Sequence, residues 1–399
     1  MAIKDILTHI NREGKQVFSL LQKSGPLTKN GLLEILKTNF TALNRIMDPL
    51  EKEKFIMEVG IGESSGGRKP LLYDLDPKCF YVLGIDISRV YTKIVIADSK
   101  MNIISKKTFE MDATFTPEKT VREIALLFQK AVDKLGLHQE QFLGVGLGTV
   151  GPLDRSSGIM LRPKYFPSEG WTGSPIKERL EQALGLPVMI DNGANTAILA
   201  EYKFGAGKGF QNIAYFNCST GIRTGAISAG VIVRTINDAE DAFGHMVINC
   251  DGEACNCGNY GCIDCYASIY AIVRKYQAAL KQGRSTGIDK DIDEIDYTDI
   301  CGAAEGPEPL AQEIITNAAT IFGVGLANYI NLLNPGLIIL SGPLISYSNL
   351  YYQIASEIAS TRHYDKEANH IIFSKGGFFG EDAIALGAAI MVVESYLLL

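Results

Sequence analysis

The chain has 399 residues, of which 46% are hydrophobic and 21% charged, with a formal net charge of −7. That length supports two or three domains with sizeable cores, and the composition is ordinary for a soluble globular protein. The acidic balance argues against nonspecific nucleic-acid binding by the whole molecule. Residues 1–78 nevertheless carry 12 Lys+Arg against 10 Asp+Glu, which leaves the remainder at −9 and turns the basic end towards any polyanion.

Three short helical patterns come first. Val17, Phe18, Leu20 and Leu21 mark one. Thr28 is placed to cap a second, with Leu32, Leu33, Ile35 and Leu36. Asn39 is placed to cap a third, whose inner face is Leu43, Ile46, Met47 and Leu50. Helix, short turn, helix is the helix-turn-helix arrangement, whose second helix reads the major groove with its N-terminal residues. Here the outward positions are Thr41, Ala42, Asn44 and Arg45. Asn and Arg suit adenine and guanine edges, and Thr and Ala suit a thymine methyl. Pro49 lies within this helix and is expected to kink its second half. A hairpin follows, from Phe55 to Ile61 and from Leu71 to Leu75, with a glycine-rich tip bearing Arg68 and Lys69. It reads as the wing of a winged helix, with both cations in reach of a phosphate or a narrow minor groove. The alternative is a three-helix protein-interaction domain.

From Phe80 strands alternate with helices, the pattern of an α/β body. Strands are expected at Tyr81 to Ile87, Lys93 to Asp98, Met101 to Met111, Phe142 to Leu147 and Leu186 to Asn192. A second series runs through Ile213 to Asn217, Gly225 to Val233 and Leu337 to Leu340. Helices are expected over 117–135, from the 190s through Glu201, and over 266–282 and 308–333. A three-strand meander with helices, met twice, predicts two similar lobes around a cleft. The polar and glycine-rich strand ends would face it. The expected division is a winged helix-turn-helix over 1–79, a first lobe over 80–200 completed by a C-terminal helix within 381–399, and a second lobe over 201–380.

His245 and the run Cys255, Cys257, Cys262 form a C-x-C-x4-C knot with a distant imidazole. One nitrogen and three thiolates satisfy a tetrahedral structural Zn2+ and leave no open position for water. The alternative is a buried His beside scattered apolar thiols. Cys250 and Cys265 also lie near the knot in sequence, with Cys265 the second choice of ligand. Eight cysteines in a chain of this length suggest a reducing compartment. No signal pattern opens the chain and no apolar run approaches the length of a membrane span, so a cytoplasmic protein without membrane contact is expected.

The segments Leu83 to Ile87, Gly148 to Asp154, Gly170-Trp171, Asp191 to Asn195, Thr220-Gly221, Gly244-His245, the cysteine knot and Asn334-Pro335 together resemble the ROK family of repressors and sugar kinases. The N-terminal part is similar to the winged helices of its repressors. The resemblance implies an actin/hexokinase-like two-lobe fold, zinc, a carbohydrate effector and homo-oligomers.

It also locates departures. The family's kinases continue the first strand as Asp-Ile-Gly-Gly-Thr, whereas this chain has Asp86-Ile87-Ser88-Arg89-Val90. Arg223 and Ser341-Gly342-Pro343 replace further glycines near the nucleotide. The catalytic Asp of the kinases falls at Gly193, which takes no proton, and Asp191 is a poor substitute. Of the family's sugar contacts the chain keeps Asn192 and His245, has Asp264 for a Glu, and has Ala242 where another Glu is usual. With Gly151 these form the implied ligand-binding set, Gly151, Asn192, His245 and Asp264. Lys164 stands where Asn is common and is either an anion contact or a solvated lysine; Arg89 and Arg223 are either anion contacts or cleft fillers.

The expected protein is therefore a sugar-responsive DNA-binding regulator, a repressor of carbohydrate-utilisation genes, with a catalytically inactive kinase-like domain. Its partners would be a double-stranded operator with an inverted repeat, a carbohydrate or sugar-phosphate effector, and further copies of itself in a dimer or tetramer. The other readings are a non-catalytic regulator controlled by a protein partner and an active sugar kinase.

Overall fold

The computed structural model describes residues 3–63, 69–234, 242–364, 366–367 and 370–397. At the N-terminus helices Ile3–His9, Arg12–Ser24, Lys29–Leu36 and Phe40–Lys52 pack on a sheet ordered Leu27–Thr28, Leu71–Leu75, Ile56–Ile61. The hydroxyl of Thr28 accepts the Gly31 amide at 3.0 Å, and the side chain of Asn39 accepts the Ala42 amide at 2.9 Å. These caps start the two helices where the sequence places them. Leu43, Ile46, Met47 and Leu50 are buried as expected. The helix Phe40–Lys52 runs on through Pro49. Proline sits there in the last turn, where only the bond to the Arg45 carbonyl is lost. The first helix, Ile3–His9, was not read from the sequence.

The body contains two five-stranded sheets with the same topology. One is ordered Val188–Asn192, Phe142–Thr149, Tyr81–Ile87, Tyr91–Asp98, Ile103–Glu110. The other is ordered Val231–Ile232, Ile222–Ser228, Ile213–Cys218, Leu337–Ser341, Ile372–Lys375. In each, an antiparallel meander is extended by two parallel strands beside its first strand.

Three expectations need correction. The stretch from Gly225 to Val233 is two strands, turned at Ala229 and Gly230, whose φ angles are 51° and 79°. The helix expected over 266–282 is broken at Ser268, which caps Ile269–Lys281 by accepting the Ala271 amide at 3.2 Å. An apolar segment of spanning length does exist: Pro309–Leu333, at 25 residues, is long and apolar enough to cross a membrane. Its Ile315, Ala319, Phe322 and Leu326 are buried in one cluster with Phe216, Ile338 and Leu340 of the second sheet, which accounts for its apolar character.

The helix Ala383–Leu397 is buried along most of its length. It lies so close to the first sheet that a Cβ on Gly84 would sit 2.0 Å from the Ala385 carbonyl oxygen, and one on Gly146 only 1.8 Å from that of Ala388. The winged helix shares this core. Leu7, Val17 and Phe18 belong to the same buried cluster as Phe80, Val82, Leu386, Ile390 and Val393. Phe18 stacks on Phe80 at 6.0 Å, Gln22 donates to the Ser99 carbonyl at 2.6 Å, and Lys100 pairs with Asp74. Gly146→Ala is expected to lower the unfolding free energy by about 3 kcal/mol or more, because its methyl meets main chain that cannot move aside. Urea denaturation reads this, and an unchanged midpoint would mean that the terminal helix is not seated as described.

Candidate functional site

His245, Cys255, Cys257 and Cys262 bring one ligand atom each within 4.8 Å of one another. His245 Nδ1 lies 3.6 Å from Cys255 Sγ, and Cys257 Sγ lies 3.7 Å from Cys262 Sγ. A tetrahedron with Zn–S bonds of about 2.3 Å has edges of about 3.8 Å, so donor chemistry and spacing both suit a metal ion such as zinc. The loop makes this possible locally. Gly261 has φ +67°, and a Cβ there would lie 1.6 Å from the Asn249 carbonyl oxygen. The Cys255 amide donates to the Asn259 carbonyl at 2.8 Å and closes the turn between the thiols. Cys265 lies outside the group and points its thiol at the Ala254 carbonyl, 3.7 Å away. Cys250 is exposed.

Beside this loop opens a cavity of about 420 Å³. His245 and Asp264 line it, together with Pro152, Arg162, Lys164, Tyr165, Gly221, Arg223, Tyr270 and Arg274. Gly221 and Arg223 also border a smaller cavity of about 40 Å³, where Asp86, Arg89, Asn192 and Gly193 meet. Of the four implied ligand-binding residues, His245 and Asp264 thus share one space and Asn192 faces the adjoining one. Gly151 is buried and borders neither, although Val150 and Pro152 do. Asn192 uses its side-chain oxygen to cap the helix Gly193–Phe204, accepting the Ala194 amide at 2.7 Å.

The would-be catalytic corner is filled and tied. Gly193 is the first residue of that helix and offers no base. Asp191 is buried and accepts from Arg234 at 2.7 and 3.3 Å and from the Asn195 amide at 3.1 Å, with Arg155 4.0 Å away. A carboxylate bidentate to one guanidinium, with a second beside it, is a structural anchor. Burial pushes the Asp86 carboxyl up to about 7, against the opposing hydrogen bond from Tyr91 and the charge of Lys93. Arg89, itself buried, donates from Nε to the Lys164 carbonyl at 2.6 Å. A third cavity, of about 180 Å³, lies where Ser341, Gly342 and Pro343 meet Tyr297 and Tyr347.

On the winged helix, Thr41 and Arg45 are exposed, and Ala42 and Asn44 are half-buried on the same outward side. Lys69 is exposed on the descending arm of the wing; Arg68 lies outside the described residues. Sequence reasoning missed Lys29 and Phe40. Lys29 donates to Asn44 Oδ1 at 2.8 Å and sits over the rings of Phe40 and Tyr73 at 6.0 and 5.0 Å. Phe40 opens the helix Phe40–Lys52 and is 53% exposed, in a groove bordered by Lys29, Asn30, Lys69 and Pro70. An aromatic one residue after a predicted cap is a signal that the inward periodicity could not use.

The ROK family model matches residues 82–395. The chain is 28% identical to the xylose repressor of Bacillus spizizenii over 384 residues, covering 96% of this chain and 95% of that protein. It is 32% identical to the glucokinase of Streptomyces coelicolor over 275 residues, covering 67% of this chain and 83% of the enzyme. Among solved structures it is similar in fold to a ROK family transcriptional regulator, a homologue of the Escherichia coli Mlc protein, with a TM-score of 0.78, 22% identity and 98% of each chain covered.

The metal reading makes a direct prediction. The purified protein should carry about one zinc ion per chain, and Cys257→Ser should lose most of it along with the order of residues 245–265. Elemental analysis with hydrogen exchange measures both; a metal-free, equally protected wild-type loop would end the assignment.

Proposed function

The chain belongs to the ROK family, and on that premise we propose that it is a DNA-binding transcriptional repressor governed by a carbohydrate effector. The observation that carries this reading is the outward face of Phe40–Lys52. It presents Thr41, Ala42, Asn44 and Arg45 beside a wing, on a domain built into the core of the body. The likeness to a repressor over 96% of the chain supports it.

In this proposal the helix enters the major groove. Arg45 would take a guanine edge, and Asn44, oriented by Lys29, an adenine. Arg68 and Lys69 would hold the backbone or the minor groove. Two copies in a dimer, or four in a tetramer, would read an inverted repeat with half-sites one helical turn or a multiple apart. The effector would occupy the space lined by His245 and Asp264 and adjoining Asn192, in a cytoplasmic protein. Zinc at His245, Cys255, Cys257 and Cys262 would hold the loop and do no chemistry, since all four positions are protein ligands.

The same proposal makes the chain a non-enzyme. Gly193 supplies no base, Asp191 is engaged by Arg234, and the corner that would hold a transferring phosphoryl group keeps only about 40 Å³.

Arg45→Ala is expected to weaken binding to a genomically selected operator by about 1–3 kcal/mol and to relax the preference at one base position. Lys69→Ala is expected to weaken all sequences alike and to lower the salt slope by about 1. Fluorescence anisotropy over a salt series separates the two, and unchanged affinity in both variants would sink the assignment. A repressor that stays on its operator under every sugar would direct attention to a protein partner. Incubated with ATP, magnesium and glucose or xylose, the protein should form no sugar phosphate. Turnover by the unmodified chain would reverse the non-enzyme reading.

A further inference from the structure

The cavity beside the metal loop has an unusual charge for a sugar site. Its lining carries four cations, Arg162, Lys164, Arg223 and Arg274, and one carboxylate, Asp264. Zinc with three thiolates and a neutral imidazole would add a single negative charge, which leaves an excess of positive charge. Two of the cations already have partners near at hand. Arg274 pairs with Glu253, and Arg223 lies beside Asp264 at the Gly221 turn. Asp264 in turn accepts the Ile222 amide at 2.9 Å. Arg162 and Lys164 have no ion-pair partner among the described residues. They lie two apart on an irregular, extended segment.

That segment is fixed in place. The Lys164 carbonyl is held by the buried Arg89 at 2.6 Å. Tyr165 adopts φ +64°, a conformation costly for a residue with a Cβ, and so one that its surroundings must enforce. Its ring stacks on Tyr270 at 4.9 Å with 29° between the planes, and its hydroxyl accepts from the amide of Asn256 in the metal loop. Two cations held by strained, cross-linked backbone at the mouth of a ligand-sized cavity form a prepared anion site, with an aromatic pair beside it to carry a sugar ring. A neutral sugar would find a single carboxylate to accept from its hydroxyls. A phosphate or carboxylate substituent would convert both cations into charge-assisted partners.

We propose that the effector is an anionic monosaccharide, a sugar ring bearing a phosphate or a carboxylate, with Arg162 and Lys164 as its anion ligands and Tyr165 and Tyr270 as the ring platform. This rests on the reading of the cavity as an effector site. It narrows the class of compound that operates the repressor, and it gives Lys164 a role beyond that of a solvated lysine.

The test uses the full-length, zinc-loaded protein and calorimetric titration. Glucose, galactose, mannose, xylose and N-acetylglucosamine are each compared with the corresponding sugar phosphate and, where one exists, the uronic acid; inorganic phosphate is run alone. At least one anionic sugar should bind at least tenfold more tightly than its neutral parent and than inorganic phosphate. Phosphate and uronate arms identify which substituent is read. Lys164→Met and Arg162→Ala should each remove most of that advantage, and Lys164→Arg should retain it. Equal affinity for charged and neutral sugars, binding of inorganic phosphate as tight as any sugar, or no binding by any compound would each overturn the proposal. Operator binding on the same preparation separates the two readings. DNA binding without an anionic preference refutes only this inference, and absence of DNA binding refutes the repressor itself.

Discussion

The contact on which the rest of the molecule depends is the seating of the helix Ala383–Leu397 against main chain. Gly84 and Gly146 remove the side chains that would hold it off the first sheet, and Gly387 lets the Thr196 carbonyl approach from the helix Gly193–Phe204. A last stretch of sequence thereby becomes the centre of the body. Its far side is covered by Leu7, Val17 and Phe18 of the winged helix, so the DNA-reading unit and the first sheet share one apolar core. Burying a Phe or Leu side chain is worth about 1.5–3 kcal/mol, and a seam of several such residues resists independent swinging of the head. The buried Glu201 adds a polar tie. It accepts the amides of Ala206, Phe378 and Phe379, each at 2.9 Å, and so fixes the approach to the terminal helix.

What the sequence disclosed follows the range of the interaction concerned. The grouping of His245 with Cys255, Cys257 and Cys262 was legible because three of the four fall within eight positions. The recognition helix was legible because Asn39 caps it and its inner face repeats at helical spacing. The meanders were legible from strand composition, and the structure repeats them in both sheets. The missed features join residues far apart in the chain. Arg234 on Asp191, Arg89 on the Lys164 carbonyl and Tyr165 on Tyr270 have separations that no local pattern encodes. Helices Ile176–Leu184, Tyr297–Glu305 and Asn349–Arg362 and the strand Ile372–Lys375 were also passed over. The apolar length of Pro309–Leu333 was underestimated for a related reason: a helix buried in a large core needs no polar side.

The cleft sets Gly193 among arginines that hold nearby carboxylates and carbonyls. Arg89 and Arg223 border the small cavity beside Gly193, Arg89 holds the Lys164 carbonyl, and Arg234 pairs with Asp191. Asp86 borders the same cavity. Its burial pushes the carboxyl up to about 7, against the hydrogen bond from Tyr91 and the charge of Lys93. Arg89 also stiffens the segment that carries Lys164.

A ligand in the larger cavity can act on DNA only through a difference in its affinity for two arrangements of the molecule. The cavity wall supplies the means. Tyr165 joins the segment between the strands Phe142–Thr149 and Val188–Asn192 of the first sheet to Asn256 of the cysteine loop and to Tyr270 of the helix Ile269–Lys281. A sugar lying against that ring pair would compete with or reinforce these contacts and alter how the two halves of the cleft meet. The winged helix, sharing its core with the first sheet and the terminal helix, would follow one half. In an assembly of two copies, a small rotation at the cleft would be carried out to the helices Phe40–Lys52 and would change their spacing against a half-site separation fixed by the DNA. Linkage makes this reciprocal: operator DNA must shift the affinity for the effector by the same factor that the effector shifts the affinity for the operator.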